Sequence, residues 1–369
     1  MSYDIVDLFS GPRGWSEGLR MLGLRDVGLE WDRAACLTAH AAGHATVQCD
    51  VAAYPTAPFK GIRGKISSPP CQPWSRAGNR AGLADQALVQ QAVHDLAHGR
   101  DTRAEHKAGC KDERSILAAE PMRWLYDLRP EWVCMEQVPD VLPLWLQYAL
   151  YLQGWGYSTW VGILNAADYG VPQTRKRAIL IASRVRRVTA PDVTHAKSPA
   201  LDLFGGCLAP WTSMADALGL PPGVTVNTRG DRPKDARGRA AGGNEFSADG
   251  PSNALTGRAR SWKLRSGQTW KLPAGGVAHY ERAISEPSFT ILGSAISCKW
   301  VGDGVEERNL TLAESAILQS FRADYPFRGT RTAQFGQLGN AVPPLLAAHV
   351  VSMPTGISMP EVAPLEVAA

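Results

Sequence analysis

The sequence predicts a doubly wound α/β fold with a parallel sheet in its first half. Short apolar runs at residues 3–9, 27–30, 61–67 and 132–136 alternate with helical patterns. Strands that alternate with helices pair in parallel and are covered by helices on both faces. Beyond residue 157 the pattern changes, since apolar runs at 158–164 and 178–183 joined by a polar loop predict a hairpin at the sheet edge.

A third observation concerns the segment beyond residue 185, which is rich in Pro, Gly, Arg and Ser and shows few helical patterns before 310–321. This composition predicts a smaller, irregular, mostly β domain. We expect residues 1–185 and 325–350 to form one discontinuous domain, 186–324 to form the second, and 351–369 to be a flexible tail. A chain of 369 residues is long enough for both, because domains commonly hold about 100–200 residues.

The composition is that of a globular protein, with 44% hydrophobic and 20% charged residues. No apolar stretch approaches the roughly 18–20 residues of a membrane span, and the first residues lack the basic start of a secretory signal. The seven cysteines are scattered without a CxxC pair, which favours reduced thiols over a disulfide framework. We therefore expect a cytoplasmic protein with no membrane partner.

The formal net charge of +4 conceals an asymmetry along the chain. Residues 184–300 hold 16 Lys and Arg against 9 Asp and Glu, whereas the rest holds 23 against 26. The basic residues are densest at 229–271, a segment with 10 basic and 4 acidic residues. Such a segment favours a polyanionic partner, although a chance asymmetry on a solvated surface is the simpler explanation.

A glycine-containing turn follows the first predicted strand and precedes a helix. Glycine lets the backbone approach a ligand, and the helix start presents free N–H groups, as in nucleotide-type cofactor sites. Glu30 stands 19 residues after Gly11, at the end of the next strand, where a carboxylate can accept hydrogen bonds from ribose hydroxyls. Trp31 beside it offers a face for an adenine ring. The turn lacks the G-x-G-x-x-G pattern, does not separate NAD from S-adenosylmethionine, and is equally compatible with a simple tight connection.

A cysteine between prolines follows the predicted strand at 61–67. In Pro69-Pro70-Cys71-Gln72-Pro73 the prolines exclude a helix and hold the backbone extended. This places Cys71 at the carboxyl edge of the sheet, where open α/β folds have their sites. A rigidly held thiol suits a nucleophile, and a structural thiol is the blander alternative.

Five motifs in this order resemble those of the DNA (cytosine-5) methyltransferases and together span residues 5–348. They are Asp7–Gly18 for DLFxGxGGxxxG, Pro70-Cys71-Gln72 for the catalytic PCQ, Met135–Pro139 for ENV(P), Gln173–Arg177 for QxRxR, and Gly339–Pro344 for GNAVPP. The combination excludes an NAD oxidoreductase in practice. The chain departs from the family pattern at Arg13, where the family has glycine, and at Gln137, where it has asparagine. Arg13 would be strained if the turn requires a left-handed backbone and unstrained if a right-handed or extended one suffices.

The resemblance implies a Rossmann-like methyltransferase domain and a target-recognition domain. It implies transfer of a methyl group from S-adenosylmethionine to C5 of a cytosine flipped out of a specific duplex DNA sequence. Cys71 would attack C6 of the base, and Glu136 would hold N3 and the N4 amine. Arg175 would fix the O2 edge and the carboxylate and favour the thiolate, while Arg177 would make a supporting contact.

The resemblance also implies cofactor contacts and DNA contacts. The cofactor residues are Phe9, Gly11, Gly14, Glu30, Trp31, Asp50, Asn340 and Val342. The DNA residues are Gln72 and Ser75 beside the cysteine, and Arg237, Arg239, Arg258 and Arg260 in the basic segment. We expect double-stranded DNA as partner of a monomer; the resemblance allows a cognate restriction endonuclease and does not require one.

Two alternatives stay open, an RNA cytosine-5 methyltransferase and a non-catalytic DNA-binding homologue, the second supported by Arg13 and Gln137. Residues 84–111 resemble an insertion. Its His94, His98, His106 and Cys110 have a spacing that could place zinc ligands on a helix face. The spacing matches no common zinc motif, so we expect a solvated helix pair on a mobile loop and no metal.

Overall fold

The computed structural model describes residues 3–75, 80–199, 208–220, 225–227, 281–283, 285–288, 290–291, 299–302 and 305–360. Within these ranges no helix combines the length and apolar character needed to cross a bilayer. Seven strands form the main sheet: β1 Ile5–Leu8, β2 Val27–Glu30, β3 Ala45–Gln48, β4 Gly64–Ser67, β5 Trp132–Gln137, β6 Ser158–Asn165 and β7 Lys176–Ser183.

The main sheet has the strand order β3-β2-β1-β4-β5-β7-β6. The first five strands are parallel, and β7 runs antiparallel to both of its neighbours. Strands β1, β2, β4 and β5 are buried along their whole length, as expected for parallel strands covered on both faces. The doubly wound prediction is confirmed, and so is the hairpin, with β6 at the edge.

Helices cover both faces of this sheet. Those before the second half are α1 Gly14–Met21, α2 Arg33–Ala41, α3 Ala81–Ala97, α4 Arg103–Gly109, α5 Glu120–Leu128 and α6 Leu142–Gly154. Alternation along β5 directs successive side chains to opposite faces: Val133 and Met135 face the core under α3, α5 and α6, whereas Trp132 and Cys134 face the core under α1.

The chain returns to the main sheet at its end, where α10 (Pro344–Thr355) packs against α1. A Cβ atom on Gly18 would lie 2.7 Å from Ala347 Cβ, so the two helices approach too closely for a larger residue. This helix passes the predicted start of the tail at 351, and Ile357 packs on the same core. That boundary is wrong for residues 351–357, and residues 361–369 lie outside the described part.

The first helix of the segment predicted as a solvated insertion, α3, is built into the core, whereas α4 buries no residue. Helix α3 buries Val89, Val93 and Leu96 against α5 and α6, because its apolar positions recur at helical spacing. The histidine ring of His94 lies 2.7 Å from the Tyr151 hydroxyl instead of facing a shared ligand. In the described ranges no group of three or more His, Cys, Asp or Glu is arranged to hold a metal ion.

The described residues of the second half form short strands and, besides α10, three further helices. These are β8 His195–Ala196, β9 Ala209–Pro210, β10 Thr225–Asn227, β11 Glu281–Ala283, β12 Lys299–Gly302, β13 Val305–Asn309, α7 Met214–Leu218, α8 Leu312–Leu318 and α9 Arg331–Asn340. Strands β11, β10, β12 and β13 form an antiparallel sheet in that order. A separate core joins α7, α8 and α9 through Met214, Ile317 and Phe335. The helix predicted at 310–321 ends earlier, and Ser320 has a φ of 59°.

Candidate active site

The glycine turn, residues 9–14, connects β1 to α1 through left-handed backbone. Phe9, Gly11 and Arg13 have φ values of 60°, 51° and 75°. A Cβ atom on Gly11 would meet nothing within 4 Å, so one side of the turn is open to an approaching ligand. On its other side, Gly14 packs so closely that an added Cβ would lie 2.1 Å from the Val342 carbonyl oxygen. The turn is therefore fixed by the C-terminal segment and open at Gly11.

Glu30, at the end of β2, holds the glycine turn in place through hydrogen bonds of its carboxylate. Its Oε2 accepts from the Gly11 N–H at 2.8 Å, and its Oε1 accepts from the N–H groups of Trp31 and Asp32, both at 2.8 Å. Burial raises the pKa of Glu30, and these three hydrogen bonds oppose the rise. Trp31 beside it is 76% exposed, which leaves a large aromatic face at the mouth of the turn.

The remaining residues predicted for the cofactor lie along the same edge of the sheet. Asp50 follows β3, is exposed, and accepts from the Ala52 N–H at 2.9 Å. Asn340 is exposed at the end of α9, and Val342 is buried against Gly14. An open glycine backbone, a buried carboxylate and an exposed indole on one edge fit a nucleoside with its ribose and its base.

Arg13 is left-handed at the N-cap of α1, with a φ of 75° and a ψ of 38°. A non-glycine residue there costs about 1–3 kcal/mol, so the strained alternative applies. The Arg13 side chain is buried and forms an ion pair with Asp26, with 2.8 Å between Nη2 and Oδ1. Asp26 was not identified from the sequence, because it belongs to no motif and its contact depends on the fold.

The cysteine loop follows β4 and is fixed to β5 by a side chain. The Gln137 amide donates to the Pro69 carbonyl oxygen at 2.7 Å, and its Oε1 accepts from the Val138 N–H at 2.7 Å. The N–H groups of Trp74 and Ser75 donate to the Cys71 carbonyl oxygen at 3.0 and 2.8 Å, which closes a helical turn. Glutamine thus supplies local hydrogen bonding at this position.

Glu136, on β5, pairs with an arginine from the neighbouring strand. Arg177 Nε lies 2.8 Å from Glu136 Oε1, and Arg177 Nη1 donates to the Lys176 carbonyl oxygen at 2.8 Å. Arg175 is buried, and its Nη1 donates to the Ile291 carbonyl oxygen at 3.4 Å, while its Nε has no hydrogen-bond partner among the described residues. The carboxylate contact predicted for Arg175 is therefore wrong, because Arg177 makes it.

The pKa of the Cys71 thiol does not favour the thiolate that was expected. Cys71 is partly exposed, yet burial of its sulfur raises its pKa. Arg177 and Arg175 lower that pKa and Glu136 raises it, so the arginines act in the predicted direction and desolvation outweighs them. Burial, with a further contribution from Arg177, lowers the pKa of Arg175 to about 9.

Among the residues predicted to contact DNA, Gln72 and Ser75 lie in the turn that Cys71 opens. The others, Arg237, Arg239, Arg258 and Arg260, lie outside the described residues, as does the basic segment 229–271. No role was predicted for Gln173, whose Oε1 accepts from the Ile291 N–H at 3.0 Å and whose amide donates to Gln319 at 2.9 Å. It fixes the arginine segment to α8.

Comparisons with known proteins agree with this geometry. A family model for C-5 cytosine-specific DNA methylases matches residues 3–90 and 103–353. The Type II methyltransferase M.DdeI of Desulfomicrobium norvegicum is 26% identical over 93% of this chain and 86% of its own length. M1.HphI of Haemophilus parahaemolyticus, also a Type II methyltransferase, is 26% identical over 95% and 86%.

The solved structure of the Dnmt2 methyltransferase of S. pombe shares the fold. Its TM-score is 0.57 at 13% identity, over 95% of this chain and 98% of that one. The family model covers most of the chain, including the glycine turn, the cysteine loop and the Glu136–Arg177 pair. The chain therefore belongs to the C-5 cytosine-specific DNA methylases.

Proposed function

We propose that the protein transfers a methyl group from S-adenosylmethionine to C5 of a cytosine flipped out of duplex DNA, through a bond between Cys71 Sγ and C6. The observation that carries this proposal is that the cysteine loop and the Glu136–Arg177 ion pair lie together at the carboxyl edge of the sheet. In that pair 2.8 Å separates Arg177 Nε from Glu136 Oε1. The glycine turn that fits a nucleoside cofactor ends the neighbouring strand β1 on the same edge.

Cys71 supplies the covalent step. C5 of cytosine is a weak nucleophile because its attack disrupts the aromatic ring. When the thiolate forms a bond to C6, the C5–C6 double bond is broken and its electron pair becomes available at C5. The raised pKa keeps the thiol protonated in the free protein, so its proton must leave before or during the attack.

Glu136 and the two arginines hold the base. Arg177 engages Oε1 of Glu136; the carboxyl group accepts from the N4 amine, and a proton on its Oε2 is donated to N3, which limits charge in the ring. The Nε of Arg175 has no partner in the described part of the chain and is a donor for the O2 edge. After methylation the C5 proton leaves, with water as a sufficient acceptor, and Cys71 is eliminated as C5–C6 is restored.

The glycine turn holds the cofactor, which supplies an electrophilic methyl group when bound. Glu30 accepts from the ribose hydroxyls, Trp31 stacks on the adenine, and Asp50 accepts from the adenine amine. Phe9, Gly11, Gly14, Asn340 and Val342 complete the contacts. Support comes from the open face at Gly11 and the exposed indole of Trp31.

DNA recognition belongs to residues 186–324, and the catalytic domain comprises 1–185 with 325–357. Gln72, Ser75 and the arginines at 237, 239, 258 and 260 contact the duplex, and flipping the base costs a few kcal/mol. The proposal includes a monomeric methyltransferase, and the Type II methyltransferase names of the relatives are in keeping with a cognate restriction endonuclease as a further partner.

Methyl transfer to duplex DNA from radiolabelled S-adenosylmethionine, followed by bisulfite sequencing, tests the proposal. We expect labelled C5-methylcytosine at one recurring sequence, and a loss of more than about 1,000-fold in Cys71→Ser. Cys110→Ser is the matched control, because that thiol is also partly exposed and, within the described residues, donates to the His106 carbonyl oxygen. A wild type that methylates no DNA refutes the proposal, and preferential methylation of tRNA over duplex DNA favours the RNA alternative.

A further inference from the structure

We propose that Arg13 is a positioning residue for the glycine turn, whose buried side chain holds the Gly11 N–H against the Glu30 carboxylate. The inference rests on the proposed function, since it takes the glycine turn to bind S-adenosylmethionine. The family pattern has a glycine where Arg13 stands, so the arginine must do by side-chain contacts what glycine does by backbone freedom.

The backbone of Arg13 joins the glycine turn to α1. Its N–H donates to the Ser10 carbonyl oxygen at 3.0 Å, and its own carbonyl oxygen accepts from the Glu17 N–H at 3.0 Å. The φ of 75° therefore lies at the point where the turn becomes a helix. Any relaxation of this residue toward right-handed backbone would move Gly11 relative to Glu30.

The side chain of Arg13 connects the turn to the start of β2. Its Nη2 lies 2.8 Å from Asp26 Oδ1, and Asp26 Oδ2 accepts from the Ser16 hydroxyl at 3.0 Å. The Gly11–Glu30 hydrogen bond connects the same turn to the end of β2. Two attachments at opposite ends of one strand fix the turn in both position and direction.

The guanidinium lies against the middle of β2, at Gly28. A Cβ atom on Gly28 would lie 1.4 Å from Arg13 Nη1 and 2.4 Å from Ser10 Oγ. Glycine inside a strand is unfavourable and marks a close approach of another group. Arg13 and Gly28 are therefore a matched pair, in which the strand gives up a side chain to accommodate the arginine.

The buried charges around this point make the arginine necessary. Asp7 is the register partner of Gly28 and is buried, and neither of its carboxylate oxygens has a hydrogen-bond partner in the described ranges. Burial raises the pKa of Asp7, and the Arg13 charge opposes that rise. Removal of Arg13 takes away the ion-pair partner of Asp26 and one of the two cations, with Lys65, that act on Asp7.

Calorimetric titration with S-adenosylmethionine, together with steady-state kinetics, tests the inference. We expect Arg13→Gly to weaken binding and raise KM about tenfold, with kcat at saturating cofactor changed less than about threefold. Arg20→Ala is the matched control, since that half-exposed arginine of α1 pairs with Glu17 on the same helix. Unchanged cofactor affinity in folded Arg13→Gly overturns the inference.

A double-mutant cycle with Glu30→Ala, which removes the acceptor of the Gly11 N–H, tests the route of the effect. If Arg13 acts by holding Gly11 against Glu30, the double variant binds less than about threefold more weakly than Glu30→Ala alone. If the losses of cofactor affinity caused by the two single substitutions multiply in the double variant, the inference is contradicted. Should Arg13→Gly not fold, Arg13→Gly with Asp26→Asn removes the unpaired buried carboxylate and must show the same raised KM. Wild-type protein that binds no cofactor refutes the proposed function, whereas tight wild-type binding with an unaffected Arg13→Gly refutes only the role of Arg13.

Discussion

Replacement of Gln137 by alanine isolates the contact that fixes the cysteine loop. The buried amide donates to the Pro69 carbonyl oxygen and its Oε1 accepts from the Val138 N–H, both at 2.7 Å. Each buried group that loses its partner costs about 1–3 kcal/mol, so Gln137→Ala loses about 2–6 kcal/mol of stability. For a chain of 369 residues this lowers Tm by about 3–8 °C.

The same substitution affects the chemistry, because Cys71 lies two residues beyond Pro69. A displacement of about 1 Å in a reacting group costs about 100-fold in rate, which is the fall in kcat that we expect. Gln137→Glu keeps the acceptor for Val138, loses the donor to Pro69 and buries a carboxylate against a carbonyl oxygen, so it should slow methyl transfer with a loss of Tm at least as large. Gln147→Ala, which removes a hydrogen bond to the Gln90 carbonyl oxygen, should lower Tm and leave kcat unchanged. Wild-type kcat in folded Gln137→Ala would refute the reasoning.

Three further predictions follow from burial and close packing. Because burial raises the pKa of Cys71 and the thiolate is the reacting form, the single-turnover rate should climb between pH 7 and 9, and a flat profile would contradict this. Gly18→Ala should cost about 1–3 kcal/mol in calorimetric unfolding, because its Cβ would lie 2.7 Å from atoms of α10, whereas Gly154→Ala meets nothing within 4 Å and should not destabilise. Burial lowers the pKa of Lys65 from 10.5 to about 7, so between these values the unfolded chain binds a proton that the folded chain does not, and stability rises with pH. Lys65→Met lacks this titration. We therefore expect the Tm of Lys65→Met to exceed that of the wild type by less at pH 10 than at pH 7. A difference in Tm that stays constant over this range would disprove the prediction.

Much of the fold could be predicted, because its signals are local. Apolar runs that alternate with helical patterns predicted the parallel strands, and the hairpin followed from two runs joined by a polar loop. Helix α3 was misjudged as a solvated segment, although Val89 and Val93 are buried. Its burial depends on contacts with α5 and α6, which the sequence alone does not specify.

The site was predictable where a motif fixes a residue to a strand end, as at Glu30 and Cys71. Spacing could not decide which arginine meets Glu136, since Arg175 and Arg177 occupy alternate positions of one segment and point to the same side. The thiol pKa depends on the balance between burial and two arginines, which no motif encodes.

The central claim, that Cys71 forms a bond to the target cytosine, is tested most directly by trapping. Duplex DNA with 5-fluorocytosine at the target position lacks the C5 proton whose loss releases the enzyme, so the adduct persists. With S-adenosylmethionine present, we predict a denaturant-resistant protein–DNA complex whose mass-spectrometric cross-link maps to Cys71 and is absent from Cys71→Ser. A complex joined through another residue, or no complex under conditions in which ordinary DNA is methylated, would contradict the account.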